Sequence, residues 1–110
     1  MNQILKKVDI LCRHIEEVQR NCKLLGERLI EKGNVDLGLR LIANGLIHDA
    51  SKFEGIEWEY FFIIPESSED EKNLALAIHQ HNSTNLHHPE AWSGIKNMPD
   101  VYLAEMVCDV

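Results

Sequence analysis

The chain of 110 residues lacks several features that assign proteins to common functional classes. No apolar run approaches the roughly 20 residues that span a bilayer. The six glycines are dispersed and form no phosphate-binding loop. The three cysteines, Cys12, Cys22 and Cys108, form no CxxC pair, which argues against a thiolate zinc site or a disulfide scaffold. We therefore expect them to be small buried hydrophobic residues.

Basic residues are also scarce: 11 Lys and Arg stand against 18 Asp and Glu, for a net charge of −7. This balance argues against a non-specific nucleic-acid-binding surface. It does not exclude a phosphorylated substrate, because a bound divalent cation can reverse the electrostatic field inside a pocket of an acidic protein. The N-terminus is charged throughout and has no signal-peptide core, so a cytoplasmic protein without a membrane partner is expected.

Helical periodicity dominates the sequence and predicts one all-α domain over residues 1–110, a compact bundle of about five to six helices. Apolar residues from Ile4 to Leu25 recur at steps of three and four, which predicts a long first helix. Gly26 is a candidate interruption, and Gly33-Asn34 is expected to end the segment. A second helix is predicted over 35–48. Because apolar residues nearly encircle it, it is expected to be central and buried.

The second half of the chain is predicted to be helical too. In the 51–65 segment a helix is favoured over a strand at 60–64, because no partner strand is visible. A helix is expected over 68–82, with acidic residues near its start as the helix dipole favours, and then a loop over 83–88. Pro89 can open a short helix as its first residue. The last helix is expected to start at residue 99 or 100 and to reach the C-terminus.

Six histidines are an unusually high number for this length. His48 is followed directly by Asp49 at the end of an apolar helix, and three more candidates, His81, His87 and His88, lie at the end of another helix and in its loop. His79 and His81 differ by two positions, so on a helix they point roughly 200° apart and cannot face one site. His81 is kept and His79 is excluded. A shared cation would explain why so many imidazoles cluster in one loop.

Two more residues have positions that suit metal ligands. His14 lies at the edge of the apolar stripe of the first helix, where a buried imidazole needs a partner. Asp109 follows Met106 by three residues, which places its carboxylate on an apolar helix face, where it needs a cation or several donors. One or two divalent ions (Mn, Fe, Zn, Ni, Co or Mg) would satisfy both, since imidazole and carboxylate are suitable ligands.

The order His14, adjacent His48-Asp49 and then Asp109 resembles the HD superfamily of metal-dependent phosphohydrolases over nearly the whole chain. The H-D-x-x-K pattern that ends at Lys52 occurs in several branches of that superfamily. The stretches HDASKF, HQHNSTNLHHPEAW and MPDVYLAEMVCDV are most similar to an uncharacterised bacterial and phage branch with HDxSKF and NxHHPExW motifs. The additional histidines are similar to those of branches that hold two or more metals.

This resemblance implies a phosphohydrolase acting on a nucleotide or other small phosphate ester. The first metal would be held by His14, His48, Asp49 and Asp109. Asp49 would bridge to a second metal held by His81 and one or both of His87 and His88. Asp49 and Lys52 would be the catalytic residues: the metal would activate a water for attack on phosphorus, and Lys52 would stabilise charge or donate a proton.

Some roles have two interpretations. Glu54 and Glu57 either orient a histidine or, as is more common, lie on the surface as ordinary acids. Asn85 is expected to orient the histidine loop through a side-chain-to-backbone hydrogen bond. The alternative function is a non-catalytic metal-binding interaction module, in which the metal serves only folding and Lys52 matters little. A small apolar-rich helical domain also fits a homodimer.

Overall fold

The computed structural model describes residues 2–109, and all regular structure in this range is helical. The five α-helices are α1 (Asn2–Glu31), α2 (Val35–Leu46), α3 (Gly55–Phe61), α4 (Ser68–Thr84) and α5 (Asp100–Cys108). Three short 3₁₀ helices cover Ala50–Phe53, Pro89–Trp92 and Ile95–Asn97. The all-α bundle predicted from the sequence is confirmed. At residues 60–64, where a strand was the alternative, α3 ends and no strand forms within the described range.

The helices α1 and α2 form an antiparallel pair whose backbones come unusually close. Gly26, the candidate interruption, lies within the continuous helix α1 and is buried against α2. A Cβ atom added to Gly38 would lie 2.4 Å from the carbonyl oxygen of Gly26, so only glycine fits. The helix ends at Glu31, just before Gly33-Asn34, which were predicted to end the segment. Gly33 has a φ of 95°, which favours glycine, and Asn34 N–H donates to the carbonyl of Leu29 at 2.8 Å.

The prediction that α2 is central and buried is wrong. Only Gly38, Leu41 and Gly45 of this helix are buried, while Leu39 and Leu46 are more than half exposed. The helix lies along α1 and ends at Leu46, two residues earlier than predicted. Its apolar residues were a poor guide because the contact with α1 is made through glycines, which add nothing to a hydrophobic pattern.

The core lies between α1, α2 and α5, and its buried members are Val18, Cys22, Leu41, Val101 and Cys108. Cys22 and Cys108 are therefore the buried hydrophobic residues that we expected, whereas Cys12 is only half-buried; all three are free thiols.

The second helical pair is formed by α3 and α4, which pack on each other and on the 3₁₀ helices Ala50–Phe53 and Pro89–Trp92. Ser67 begins α4 by accepting a hydrogen bond from the backbone N–H of Asp70 at 3.1 Å. The helix continues through His81 to Thr84, two residues beyond the predicted end. Within residues 2–109, no helix has both the length and the apolar character that crossing a membrane requires. The fold thus gathers the middle of α1 and the ends of α2, α4 and α5.

Candidate metal centre

Asp49 lies at the centre of the histidine cluster and is almost completely buried. Its Oδ1 atom lies 3.2 Å from Nε2 of His81 and 3.2 Å from Nε2 of His87. Its Oδ2 atom lies 3.3 Å from Nε2 of His48 and 3.3 Å from Nζ of Lys52. One carboxylate therefore contacts four side chains from three segments of the chain.

The backbone at Asp49 adopts the left-handed conformation, with φ 55° and ψ 22°. Few residues other than glycine adopt it, although Asp and Asn tolerate it better than most. The turn follows the end of α2 directly and leads into the 3₁₀ helix that carries Lys52. This local geometry directs His48 and Asp49 into the same buried space.

Two buried glutamates hold the histidines from behind. Glu105 Oε2 lies 2.9 Å from Nδ1 of His48 and 2.9 Å from Nδ1 of His87. Glu57 Oε1 accepts a hydrogen bond from Nδ1 of His81 at 2.6 Å. A neutral imidazole whose Nδ1–H donates to a carboxylate carries its lone pair on the opposite Nε2 atom. All three imidazoles therefore turn a ligand atom towards Asp49.

Glu54 and Glu57 were each expected either to orient a histidine or to lie on the surface, and the structure places one in each role. Glu57 is fully buried and orients His81, and it also accepts a hydrogen bond from Ser51 Oγ at 2.9 Å. Glu54 is exposed. Glu105 was not predicted, although it precedes Asp109 by four residues, a spacing that places both carboxylates on one helix face.

The histidine loop after α4 is held by side-chain hydrogen bonds at its two ends. Asn85 Nδ2 donates to the carbonyl of His81 at 3.0 Å, the side-chain-to-backbone bond predicted for it, and to Ser51 Oγ at 2.8 Å. Trp92 Nε1 donates to the carbonyl of Leu86 at 2.8 Å, and its ring stacks on Tyr102 at 5.5 Å between centroids. The loop between these anchors carries His87 and His88.

The structure brings together all of the residues predicted as ligands. His14 Nε2 lies 2.6 Å from Asp109 Oδ1, which joins the middle of α1 to the end of α5. Asp109 is also 3.5 Å from Nε2 of His48. His79 lies exposed on α4 and belongs to none of the clusters, as its helical position predicted.

Three overlapping groups of side chains place one potential ligand atom each within 4.8 Å of the others. The groups are Asp49, His81, His87 and His88; His14, His48 and Asp49; and His48, His87 and Asp109. Asp49 is shared by the first two groups, the arrangement expected of a bridging carboxylate. These residues could hold one metal ion or two.

The fit of a cation is supported by polar atoms that have no other partner. Among the described residues, His48 Nε2, Asp49 Oδ1, His87 Nε2 and His88 Nε2 are buried without a hydrogen bond. The 3.2–3.3 Å contacts that His48 Nε2 and His87 Nε2 make with the Asp49 carboxylate lack hydrogen-bond geometry. Unpaired buried polar atoms cost about 1–3 kcal/mol each, so their convergence needs compensation. A divalent cation accepts both imidazole nitrogen and carboxylate oxygen and would satisfy them together.

Ionisation within the cluster also suits a cation site. Burial raises the pKa of Asp49, but its close contacts with the imidazoles of His48, His81 and His87 outweigh burial and hold that pKa far below its usual range. The pKa of His88 is lowered by burial and by the neighbouring imidazoles, so its lone pair is free near neutral pH. Burial lowers the pKa of His48, but its contacts with Asp109 and Asp49 raise it overall to about 11. A metal must therefore displace a proton from His48.

Lys52 lies at the boundary between the cluster and an open groove of about 470 Å³. Its ammonium group contacts Asp49 at 3.3 Å and lies 5.7 Å from the ring centroid of Phe61. His14 and His81 line the groove beside it. The cluster is thus accessible to a small molecule from the side on which Lys52 lies.

The fold and this cluster define a small all-helical protein with a candidate metal centre. The chain belongs to the family of unknown function DUF5662, whose sequence profile it matches over residues 4–110. Comparison with curated proteins and with solved structures found no match to either.

Proposed function

We propose that the protein is a metal-dependent phosphohydrolase of the HD type, acting on a nucleotide or another small phosphate ester. The observation that carries this proposal is the open groove beside the ligand cluster, which shares His14, His81 and Lys52 with it. Structural metal sites are usually closed by protein ligands, whereas catalytic sites keep a position for water or substrate. The ligand cluster is accessible and the ammonium group of Lys52 lies beside it, so the arrangement favours catalysis over a structural metal site.

The residues of the site have three roles: metal ligands, positioning residues and one residue, Lys52, that stabilises negative charge. When bound, a divalent cation supplies Lewis-acid chemistry and lowers the pKa of a coordinated water. Glu57 and Glu105 are positioning residues, because they fix the tautomer of the histidines whose Nε2 atoms face the site. They also limit rotation of the rings.

Lys52 is the residue best placed to act on the phosphate itself. Its Nζ lies 3.3 Å from Oδ2 of Asp49, and only a quarter of its side chain is exposed, so its positive charge is partly desolvated. Such a charge stabilises negative charge that develops on a phosphoryl oxygen or on the leaving group. We assign to Lys52 charge stabilisation and proton donation to the leaving oxygen.

Two variants separate metal binding from turnover. The Asp49→Asn variant keeps a residue that tolerates the left-handed backbone but removes the shared charge, so we expect metal content to fall below about a tenth of an ion per chain. The Lys52→Gln variant should keep its metal and lose roughly 100-fold or more in kcat. Elemental analysis of protein purified without chelator, together with phosphate release from a panel of nucleotides and phosphate esters, measures both.

The outcomes discriminate between the proposed function and its alternative. Stoichiometric metal with no turnover of the panel would refute hydrolysis and support a non-catalytic metal-binding module. An absence of metal in the unsubstituted protein, even after incubation with each candidate ion, would refute both.

A further inference from the structure

The groove beside the metal centre has apolar walls. It runs between α1 and the α3–α4 pair, and the apolar side chains that line it are Ile10, Leu11, Phe61, Phe62 and Ile78. Its volume of about 470 Å³ lies in the usual range for sites that bind small organic ligands. A phosphate group alone would leave most of this surface in contact with water, so the groove fits a larger ligand.

The polar residues of the groove are positive or neutral. Lys7, Lys52, His14, His81 and Asn82 line it, and none of the described lining residues is acidic. This is notable in a chain whose net charge is −7. Lys52 also contacts Asp49, but a lining that presents two ammonium groups and no carboxylate of its own favours an anionic ligand.

Lys7 lies at the end of the groove away from the histidines. It precedes His14 by seven residues on α1, which corresponds to roughly 10 Å along the helix. Its Nζ donates one hydrogen bond, to the carbonyl of Ile63 at 3.2 Å. An ammonium group has three N–H donors, so Lys7 is held in place and still has donors for a ligand.

We infer that the groove binds the organic group of the substrate, and that the substrate is a phosphate ester with an apolar, ring-sized group bearing an acceptor or negative charge at its far end. This rests on the proposed function, which places the phosphate at the metal centre beside Lys52. The apolar walls then contact the organic group, and Lys7 binds its far end. Lys7 is a specificity-determining residue.

Binding of phosphonates to the Mn²⁺-loaded protein tests the inference independently of hydrolysis, because the C–P bond is not cleaved. Isothermal titration should show that phenylphosphonate binds about tenfold or more tightly than methylphosphonate, since the ring adds buried apolar area. Ile78→Glu places a charge on the apolar wall and should abolish this preference. Leu76→Glu is the matched control: it is on the same helix, similarly exposed and outside the groove lining.

The role of Lys7 needs a longer pair of probes. Biphenyl-4-phosphonate and its 4′-carboxylate differ only at the far end, and we expect the carboxylate to bind about fivefold or more tightly. Lys7→Gln should remove that difference, whereas Lys6→Gln, the same charge change at an exposed neighbouring position, should preserve it.

The results separate this inference from the proposed function. Equal binding of the two short phosphonates, or no binding of either, would overturn the apolar site even if the enzyme hydrolyses phosphate esters. Loss of the carboxylate preference in Lys6→Gln as well as Lys7→Gln would overturn the role of Lys7. Selective phosphonate binding without turnover of phenyl phosphate or of any other ester would support the groove and count against the hydrolase.

Discussion

The contact between α1 and α2 allows one prediction to be worked out from distances. In a Gly38→Ala variant the new Cβ would lie 2.4 Å from Gly26 O and 2.7 Å from Cγ1 of Ile30. Ordinary contact begins near 3.4 Å, so the helices must separate by about 1 Å (3.4 − 2.4). Overpacking of this kind costs about 1–3 kcal/mol. The nearest atom is a backbone oxygen, so the cost should lie near the upper end of this range, about 3 kcal/mol. The higher helix propensity of alanine returns up to about 1 kcal/mol, which leaves a net destabilisation of about 2 kcal/mol.

The same separation should reach the metal centre, because His14 lies on α1 and His48-Asp49 follows α2. Functional geometries tolerate displacements of only about 0.5 Å, so we expect metal affinity to fall roughly tenfold in Gly38→Ala. Urea unfolding measures the stability, and competition with a chelating dye measures the affinity. Arg40→Ala, an outward change on the same helix, is the control and should alter stability by less than about 0.5 kcal/mol.

Two results would refute this reasoning. If Gly38→Ala were as stable as the unsubstituted protein, the helices would not be in backbone contact at this point. If stability fell but metal affinity did not, the packing of α1 on α2 would not control the position of His14 relative to Asp49.

Three further outcomes are expected. Burial raises the pKa of Cys22 to about 12, so a thiol reagent at pH 7.5 should modify mainly Cys12 in the folded protein and all three cysteines in urea. Mass spectrometry identifies the labelled cysteines, and rapid labelling of Cys22 in the folded protein would contradict its burial. His79→Gln should leave the metal stoichiometry unchanged while His81→Gln lowers it, and equal losses in the two would contradict the assigned faces of α4. Saturating metal at 100 times its Kd should stabilise the fold by about 2.7 kcal/mol, and a calorimetric melt that is insensitive to EDTA would argue against a metal at this site.

Local features of the sequence were sufficient for most of the helices. The long apolar periodicity of α1, the acidic start of α4 and Pro89 at its 3₁₀ turn each depend on neighbouring residues, and the structure has helices at all three places. The burial of α2 could not be predicted in this way. Its apolar residues are numerous, but which of them are buried depends on how closely another helix approaches, and the glycines that allow that approach carry no hydrophobic pattern.

The residues of the candidate site likewise fall into those that local sequence predicts and those that depend on helix packing. The adjacency of His48 and Asp49 and the three-residue step to Lys52 are local, so the sequence alone determined that these groups lie together. The exclusion of His79 also followed from helical geometry. The carboxylates that orient the histidines could not be predicted in this way. Glu57 and Glu105 are remote from His81 and His48 in sequence, and an acidic residue on a helix is more often exposed. Only the packing of α3 on α4 and of α5 on the α1–α2 pair decided that these carboxylates are buried, because burial is a property of the assembled helices.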